Sequence, residues 1–504
     1  MVDTPWSGDA CSLVDAYRVG ERSPAEELEA SLAAIERSSL NAFAHLDPEA
    51  ARETAKNADV SLPFGGVPFG IKELEQVKGW PYTEASLIFK DRIGAYDTTM
   101  VTRLKAGGIV PIGSTTASEF GGLNVSVTKI NGVTGNAWDP TKSAGGSSGG
   151  SASAVAGGLI PLACGGDGGG SIRIPAGYNG LLGMKGTYGR IPRGPHTSLN
   201  PHTVVLGCLA RSVRDAARYY DVTAGHDPHD PTSLPAIEGW ERDLGSYDLR
   251  GRTVVIDPTF GGVAVDDAAR MVVEQAAEQL VAELGLVRVD LPIEVPRMGG
   301  EWMIGNISSL YGEIEDIWPG CASELTDEIR VGIQLSENLL NMRVAAAAEM
   351  GRREANTAMA KLFDEVDFVI TSSNPGPAFP AEDGMSSDAK TFIDYARGNP
   401  LIQKAFAGAL RAARIVSGVA SKTPQRLLAA GTKGSPELLD MGALTIPANI
   451  SGNPAISIPV GDVGGLPIGL QAIGRHHQDA LLFDLAQHVE RERPWPLVAH
   501  EARR

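Results

Sequence analysis

From residue 65 to residue 189 the chain sets one short apolar run after another between glycine loops, a texture that narrows the possible folds sharply. GVPFGIKE (66–73), GGIVPIGST (107–115) and GGLIPLACGG (157–166) are short and do not alternate polar with apolar residues. They read as strands buried on both faces. Helix-like segments at 98–106 and 148–156 fall between them, which predicts an α/β fold, a buried sheet with helices on both sides. RTVVIDP (252–258), DFVITSSN (367–374) and AISIPVG (455–461) continue the strand pattern, and 266–284 is an amphipathic helix. Ahead of the sheet, Ser23-Pro24-Ala25-Glu26 is a capping box with proline at the first helical position, followed by Leu28, Leu32 and Ile35 at helical spacing. It marks 1–64 as an N-terminal helical region. Residues 295–365 and 385–440, rich in Ala, Leu, Met and Glu, read as helices of an insertion over 290–440. That insertion either adds packing around the sheet or roofs a pocket and selects substrates.

Composition excludes several classes. Glycine supplies 60 of 504 residues, about 12% against a usual ~7%, and no G-X-Y period accompanies it. Forty-four Lys plus Arg against 61 Asp plus Glu give a net charge of −17. So acidic a chain is poorly suited to a phosphate backbone, and it has no Lys/Arg clusters for an anionic bilayer; nucleic acid and membrane are not expected partners. Cys11, Cys164, Cys208 and Cys321 are far apart and form no CxxC, so neither a disulfide framework nor a zinc site is expected. The N-terminus lacks a basic start followed by an apolar core, and the stretch 152–164 is cut by Gly157, Gly158 and Pro161. The expected location is the cytoplasm.

Three segments carry chemistry. Lys72 ends the apolar run Val67-Pro68-Phe69-Gly70-Ile71. A lysine there either snorkels to the surface or, if buried, loses its charge and becomes a base. Ala144–Ser151 (AGGSSGGS) is a tight loop entering a helix; alone it is also compatible with a plain flexible turn. In Cys164–Ala176 (CGGDGGGSIRIPA), Gly168, Gly169 and Gly170 leave consecutive backbone N–H groups unobstructed beside Ser171. That arrangement suits an oxyanion hole with a nucleophile at its rim.

Taken in this order and spacing, the three segments resemble the amidase signature family. The resemblance extends over nearly the whole chain: LNAF (40–43), Gly135, Asn136, Trp138 and Pro140, GMKGTYGRIP (183–192), PANISGNPAISIPVG (447–461) and GLPIGLQAIGR (465–475). It implies one domain over 1–504, an α/β/α sandwich on one large mixed sheet, with 65–200 as the signature core. It further implies Lys72 as catalytic lysine, Ser147 as a relay serine on a cis peptide, and Ser171 as the acyl-forming nucleophile. The amides of Gly168, Gly169, Gly170 and Ser171 would form the oxyanion hole, Gly121 would line the pocket, and Asp167 and Arg173 would support the loop. Neither metal nor organic cofactor is implied, the substrate would be a small amide, and a homodimer is expected. Two departures stand out: Glu73 where Asp is frequent, and Gly168 where Thr or Ile is usual, which could loosen the oxyanion loop or open space there.

Two other readings compete. Within the family, a glutamine-hydrolysing subunit of a tRNA-dependent amidotransferase commonly reads SIRQPA, whereas this chain has apolar Ile174. Outside it, Gly145-Gly146-Ser147-Ser148-Gly149 satisfies G-x-S-x-G, but an α/β-hydrolase elbow needs a strand running into it, and NAWDPTKSA precedes this one. Its candidate histidines, His476 and His477, lie in a polar stretch. A phosphate loop is weaker still, for GGSSGGS lacks GK[ST].

Overall fold

The computed structural model describes residues 4–197, 202–381 and 442–499. The strands are β1 (Phe43–Leu46), β2 (Pro68–Lys72), β3 (Val110–Thr115), β4 (Val127–Thr128), β5 (Gly132–Val133), β6 (Leu162–Asp167), β7 (Leu182–Lys185), β8 (Val205–Ala210), β9 (Thr253–Ile256), β10 (Val287–Arg288), β11 (Phe368–Ser372), β12 (Ala455–Val463) and β13 (Leu466–Gly474). Among the described residues eleven of them form one sheet in the order β1-β3-β2-β6-β8-β7-β12-β13-β11-β9-β10, while β4 and β5 pair separately. β2 runs parallel to β3 and β6, and β6 runs antiparallel to β8, so the sheet is mixed as expected.

Strand pleating divides the core. Phe69 and Ile71 of β2, Leu162 and Cys164 of β6, and Leu206 and Cys208 of β8 fill one side with Tyr219, Tyr220 and Val273 of the covering helices. Ala163 and Leu209 point the other way, to Ala152 and Val155 of the helix Gly149–Ala156. Successive side chains on a strand alternate faces, and here both faces are apolar because both are covered.

The capping box closes as expected: Ser23 Oγ accepts from the Glu26 N–H, and the Glu26 carboxylate accepts from the Ser23 N–H. The expected helices at 98–106, 148–156 and 266–284 are Thr99–Ala106, Gly149–Ala156 and Asp267–Leu284. One expectation needs correcting. Residues 1–64 are not wholly helical, because β1 pairs with β3 at the sheet edge, its four residues too few to show a period. Helices Gly299–Ile314, Asp327–Leu339 and Met342–Glu365 form the first part of the expected insertion, but β11 inside 290–440 pairs with β13 and β9 in the main sheet, so the insertion is not one continuous cap; its expected stretch 385–440 lies outside the described residues.

Candidate active site

Lys72 is the last residue of β2, with the parity of Gly70 and opposite to Phe69 and Ile71. Its side chain therefore leaves on the face covered by the helix Gly149–Ala156 and ends beneath the loop that starts this helix. Only 1% of it is exposed. Nζ lies 2.7 Å from Ser147 Oγ and 3.4 Å from the Gly166 carbonyl oxygen. Burial pushes the ammonium down to about 8, against the opposing pull of Glu75 and the other acidic groups nearby. A neutral Lys72 accepts the Ser147 proton; a charged one only donates.

The Ser147 loop is fixed from several sides. The Gly146–Ser147 peptide is cis. Gly145 has φ +76°, and a Cβ on Gly146 would meet the Asn124–Val125 backbone at 2.6–2.8 Å, so neither position admits a larger residue without movement. The Ser118 N–H donates to the Ser147 carbonyl at 3.2 Å, and Ser126 Oγ donates to the Gly145 carbonyl at 3.0 Å. Gly121, φ +68°, is close by: a Cβ there would stand 3.4 Å from Ser147 Oγ. Glu73 does not reach the lysine amine. Its buried carboxylate accepts from the Ala117 N–H (2.7 Å) and Asn131 Nδ2 (2.8 Å), tying down the chain that follows β3.

Ser171 occupies the turn after β6 and is 5% exposed. Its carbonyl accepts from the Ser148 N–H at 3.2 Å, which joins the two serine loops. Among the described residues the Ser147 and Ser171 hydroxyls form no direct hydrogen bond; the pairing observed is Lys72 with Ser147. Catalytic hydrogen bonds often tighten only around bound substrate.

Asp167 and Arg173 anchor the glycine run. Both are fully buried, and the guanidinium grips the carboxylate with Nε and Nη2, each at 2.9 Å. Arg173 also donates to the Thr445 carbonyl (3.0 Å), Gln471 Oε1 (2.5 Å) and Asn449 Oδ1 (2.6 Å), which occupies all five of its N–H groups. Burial alone would raise the Asp167 carboxyl, yet the charge and hydrogen bonds of Arg173 hold it well below the usual carboxylate range. The Gly170 N–H donates to Asp167 Oδ1 at 2.7 Å, so this amide is not free for an oxyanion. The expected set narrows accordingly: among the described residues the amides of Gly168, Gly169 and Ser171 have no protein acceptor. Gly170 is structural instead, with φ +126° and no room for a Cβ beside Thr445 Oγ1. Replacing Arg173 by Met is expected to leave a buried unpaired carboxylate and cost about 3–5 kcal/mol in urea denaturation; unchanged stability would contradict this account.

The structure thus gathers Lys72, Gly121, Ser147, Asp167, Arg173 and Gly168–Ser171 at one end of β2 and β6. His476 and His477 are exposed, and no strand leads into the Ser147 loop. Sequence reasoning missed the roles of Ser118, Thr445, Asn449 and Gln471. The motifs around 447–461 and 465–475 contain two of these without disclosing what they touch. Among the described residues no group of three His, Cys, Asp or Glu is placed to hold a metal ion, and no helix is long and apolar enough to cross a membrane.

A large mixed sheet presenting a buried lysine–serine pair beside a glycine-rich serine loop defines the class to which the sequence motifs pointed. The chain belongs to the Amidase family, whose model matches residues 26–398 and 385–483. It is similar to a glutamyl-tRNA(Gln) amidotransferase subunit of Shouchella clausii, 31% identical with 90% of each chain covered. The corresponding subunit of Chloroflexus aggregans is 30% identical over 95% of each. Among solved structures, a 6-aminohexanoate cyclic dimer hydrolase superposes with a TM-score of 0.82 at 27% identity, covering 99% of each chain. A bacterial aryl acylamidase gives 0.83 at 24% identity over 97% of each, a likeness of fold. This chain is accordingly an amidase.

Proposed function

We propose that the chain is a stand-alone amidase cleaving a small carboxylic amide to acid and amine or ammonia, through an acyl-enzyme on Ser171. Ser171 Oγ attacks the carbonyl carbon while its proton passes to Ser147, whose own proton passes to neutral Lys72. The negative oxygen accepts hydrogen bonds from free amides of Gly168, Gly169 and Ser171. The tetrahedral adduct then expels the amine, which takes its proton back from the relay. Water hydrolyses the acyl ester by the same route. The observation that carries this reading is the 2.7 Å approach to Ser147 Oγ of a fully buried amine, its ammonium pushed down by burial to about 8.

A second reading is favoured by the sequence relatives: glutamine hydrolysis within a tRNA-dependent complex. Against it stands Ile174, which is fully buried against Val125 and Tyr178. The test offers the purified chain aliphatic, aromatic and cyclic amides, esters and hydrazides, with glutamine as control. Turnover of simple amides by the chain alone supports the first reading; activity confined to glutamine overturns it. Among the described residues the Ser147-elbow esterase has neither its entering strand nor a buried histidine. Replacing His476 and His477 together by Ala is expected to leave kcat/KM within about twofold, and a collapse of activity would revive that reading.

We place the enzyme in the cytoplasm, in keeping with four buried cysteines that are all free thiols. We expect a homodimer on resemblance alone, which light scattering of the purified protein tests directly.

A further inference from the structure

Three glycines in a row leave the oxyanion loop with few torsional restraints of its own. The Gly168–Gly169 peptide is instead held from outside the loop. Trp302, on the insertion helix Gly299–Ile314, donates its indole Nε1–H to the Gly168 carbonyl at 2.6 Å. Its ring covers the next residue: a Cβ on Gly169 would fall 2.9 Å from Cε2 and Cζ2. The indole is itself seated among Met298, Ala355, Ile446 and Ile450.

In a trans peptide the C=O and the following N–H point in opposite directions. A Gly168 carbonyl drawn towards the insertion therefore aims the Gly169 N–H away from it. The neighbouring peptide follows the same rule. Thr445 Oγ1 donates to the Gly169 carbonyl at 2.6 Å, and at the opposite edge the Gly170 N–H reaches Asp167 Oδ1 at 2.7 Å. The difference lies in the acceptor. The Gly170 amide has found a carboxylate, whereas the Gly169 amide has no protein acceptor among the described residues.

We propose that Trp302 is a positioning residue that orients the Gly169 amide towards the developing oxyanion, which makes the insertion part of the rate of acylation. The proposal rests on Ser171 being the nucleophile. It also accounts for Gly168, where a larger residue is usual in the family that the sequence resembles. The restraint that such a residue would impose from within the loop is here imposed from above it.

Trp302→Phe keeps an aromatic ring over Gly169 and removes the donor. Kinetics on an amide that the parent turns over, with kcat counted per fluorophosphonate-titrated site, are expected to show kcat about tenfold lower and KM within about twofold. A boronic acid that adds to the serine and presents a tetrahedral oxyanion is expected to bind about tenfold more weakly. Parental kcat in Trp302→Phe, or a loss confined to KM, overturns the proposal, as does a boronate affinity that does not follow kcat. Counting labelled sites removes any misfolded fraction from the comparison. The Ser171→Ala variant separates the two layers of the argument: amide hydrolysis surviving in it sinks the nucleophile assignment. An inactive Ser171→Ala beside a fully active Trp302→Phe sinks only the role of the tryptophan.

Discussion

Replacing Ser171 by Ala is expected to lower kcat for amide hydrolysis by about a million-fold, to whatever residual rate the oxyanion amides and substrate binding sustain, and to abolish covalent labelling by a fluorophosphonate. The magnitude follows from the roles proposed. Lys72 and Ser147 only move a proton, so without the Ser171 hydroxyl there is nothing for them to activate. Peptide mapping of the labelled parent is the sharper measurement, since it identifies the attacking atom. Modification at Ser171 fits a serine 5% exposed at the mouth of the glycine turn. Modification at Ser147 would reject the arrangement, because that hydroxyl is committed to Lys72 Nζ at 2.7 Å. Ser147→Ala is expected to be severely slowed while any residual labelling stays on Ser171.

The second large effect concerns charge. The relay works only when Lys72 is neutral, and burial brings its ammonium from 10.5 down to about 8. The active form is the deprotonated one, so kcat/KM is expected to rise with pH through about 8 and to level off above it. A profile that falls with pH across this range would rule out a neutral lysine as base. Lys72→Arg supplies the complementary test. Arginine fills similar space but holds its proton at every accessible pH, so it is expected to be as inactive as Lys72→Ala, about 10²–10⁴-fold down. Appreciable turnover by the arginine variant would mean that position 72 acts through its charge, and the proton path would need another acceptor.

Much of this was legible in one dimension. Runs such as PFGIK and VPIGST announced buried strands because both of their faces are apolar, and Ser23 with Glu26 announced a helix start because the capping box is entirely local. The glycine-rich loops at 144–151 and 164–171 were recognisable because close backbone approach leaves no alternative to glycine. β1 was hidden, for four residues at a sheet edge owe their conformation to pairing with β3 rather than to any pattern of their own. At the site, the lysine and both serines could be read from the motifs, as could the Asp167–Arg173 pair six residues apart. The restriction of the free amides could not, since it depends on where the Asp167 carboxylate finds its hydrogen bonds.

The order of residues by itself determined which strands would be buried, where the glycine turns would fall and which side chains were chemically able to act. All of these depend on neighbours within a few positions, where backbone sterics and side-chain period decide the outcome. Tertiary structure alone decided that the Lys72 ammonium is pushed down to about 8, because desolvation is a property of everything packed around the amine, from β2, β6 and the helix Gly149–Ala156. It alone decided that Arg173 reaches Thr445, Asn449 and Gln471, and that an indole 134 residues away holds the Gly168 carbonyl. Contacts between positions so distant in the chain leave no trace in local propensity, and only the folded sheet brings them within hydrogen-bonding range.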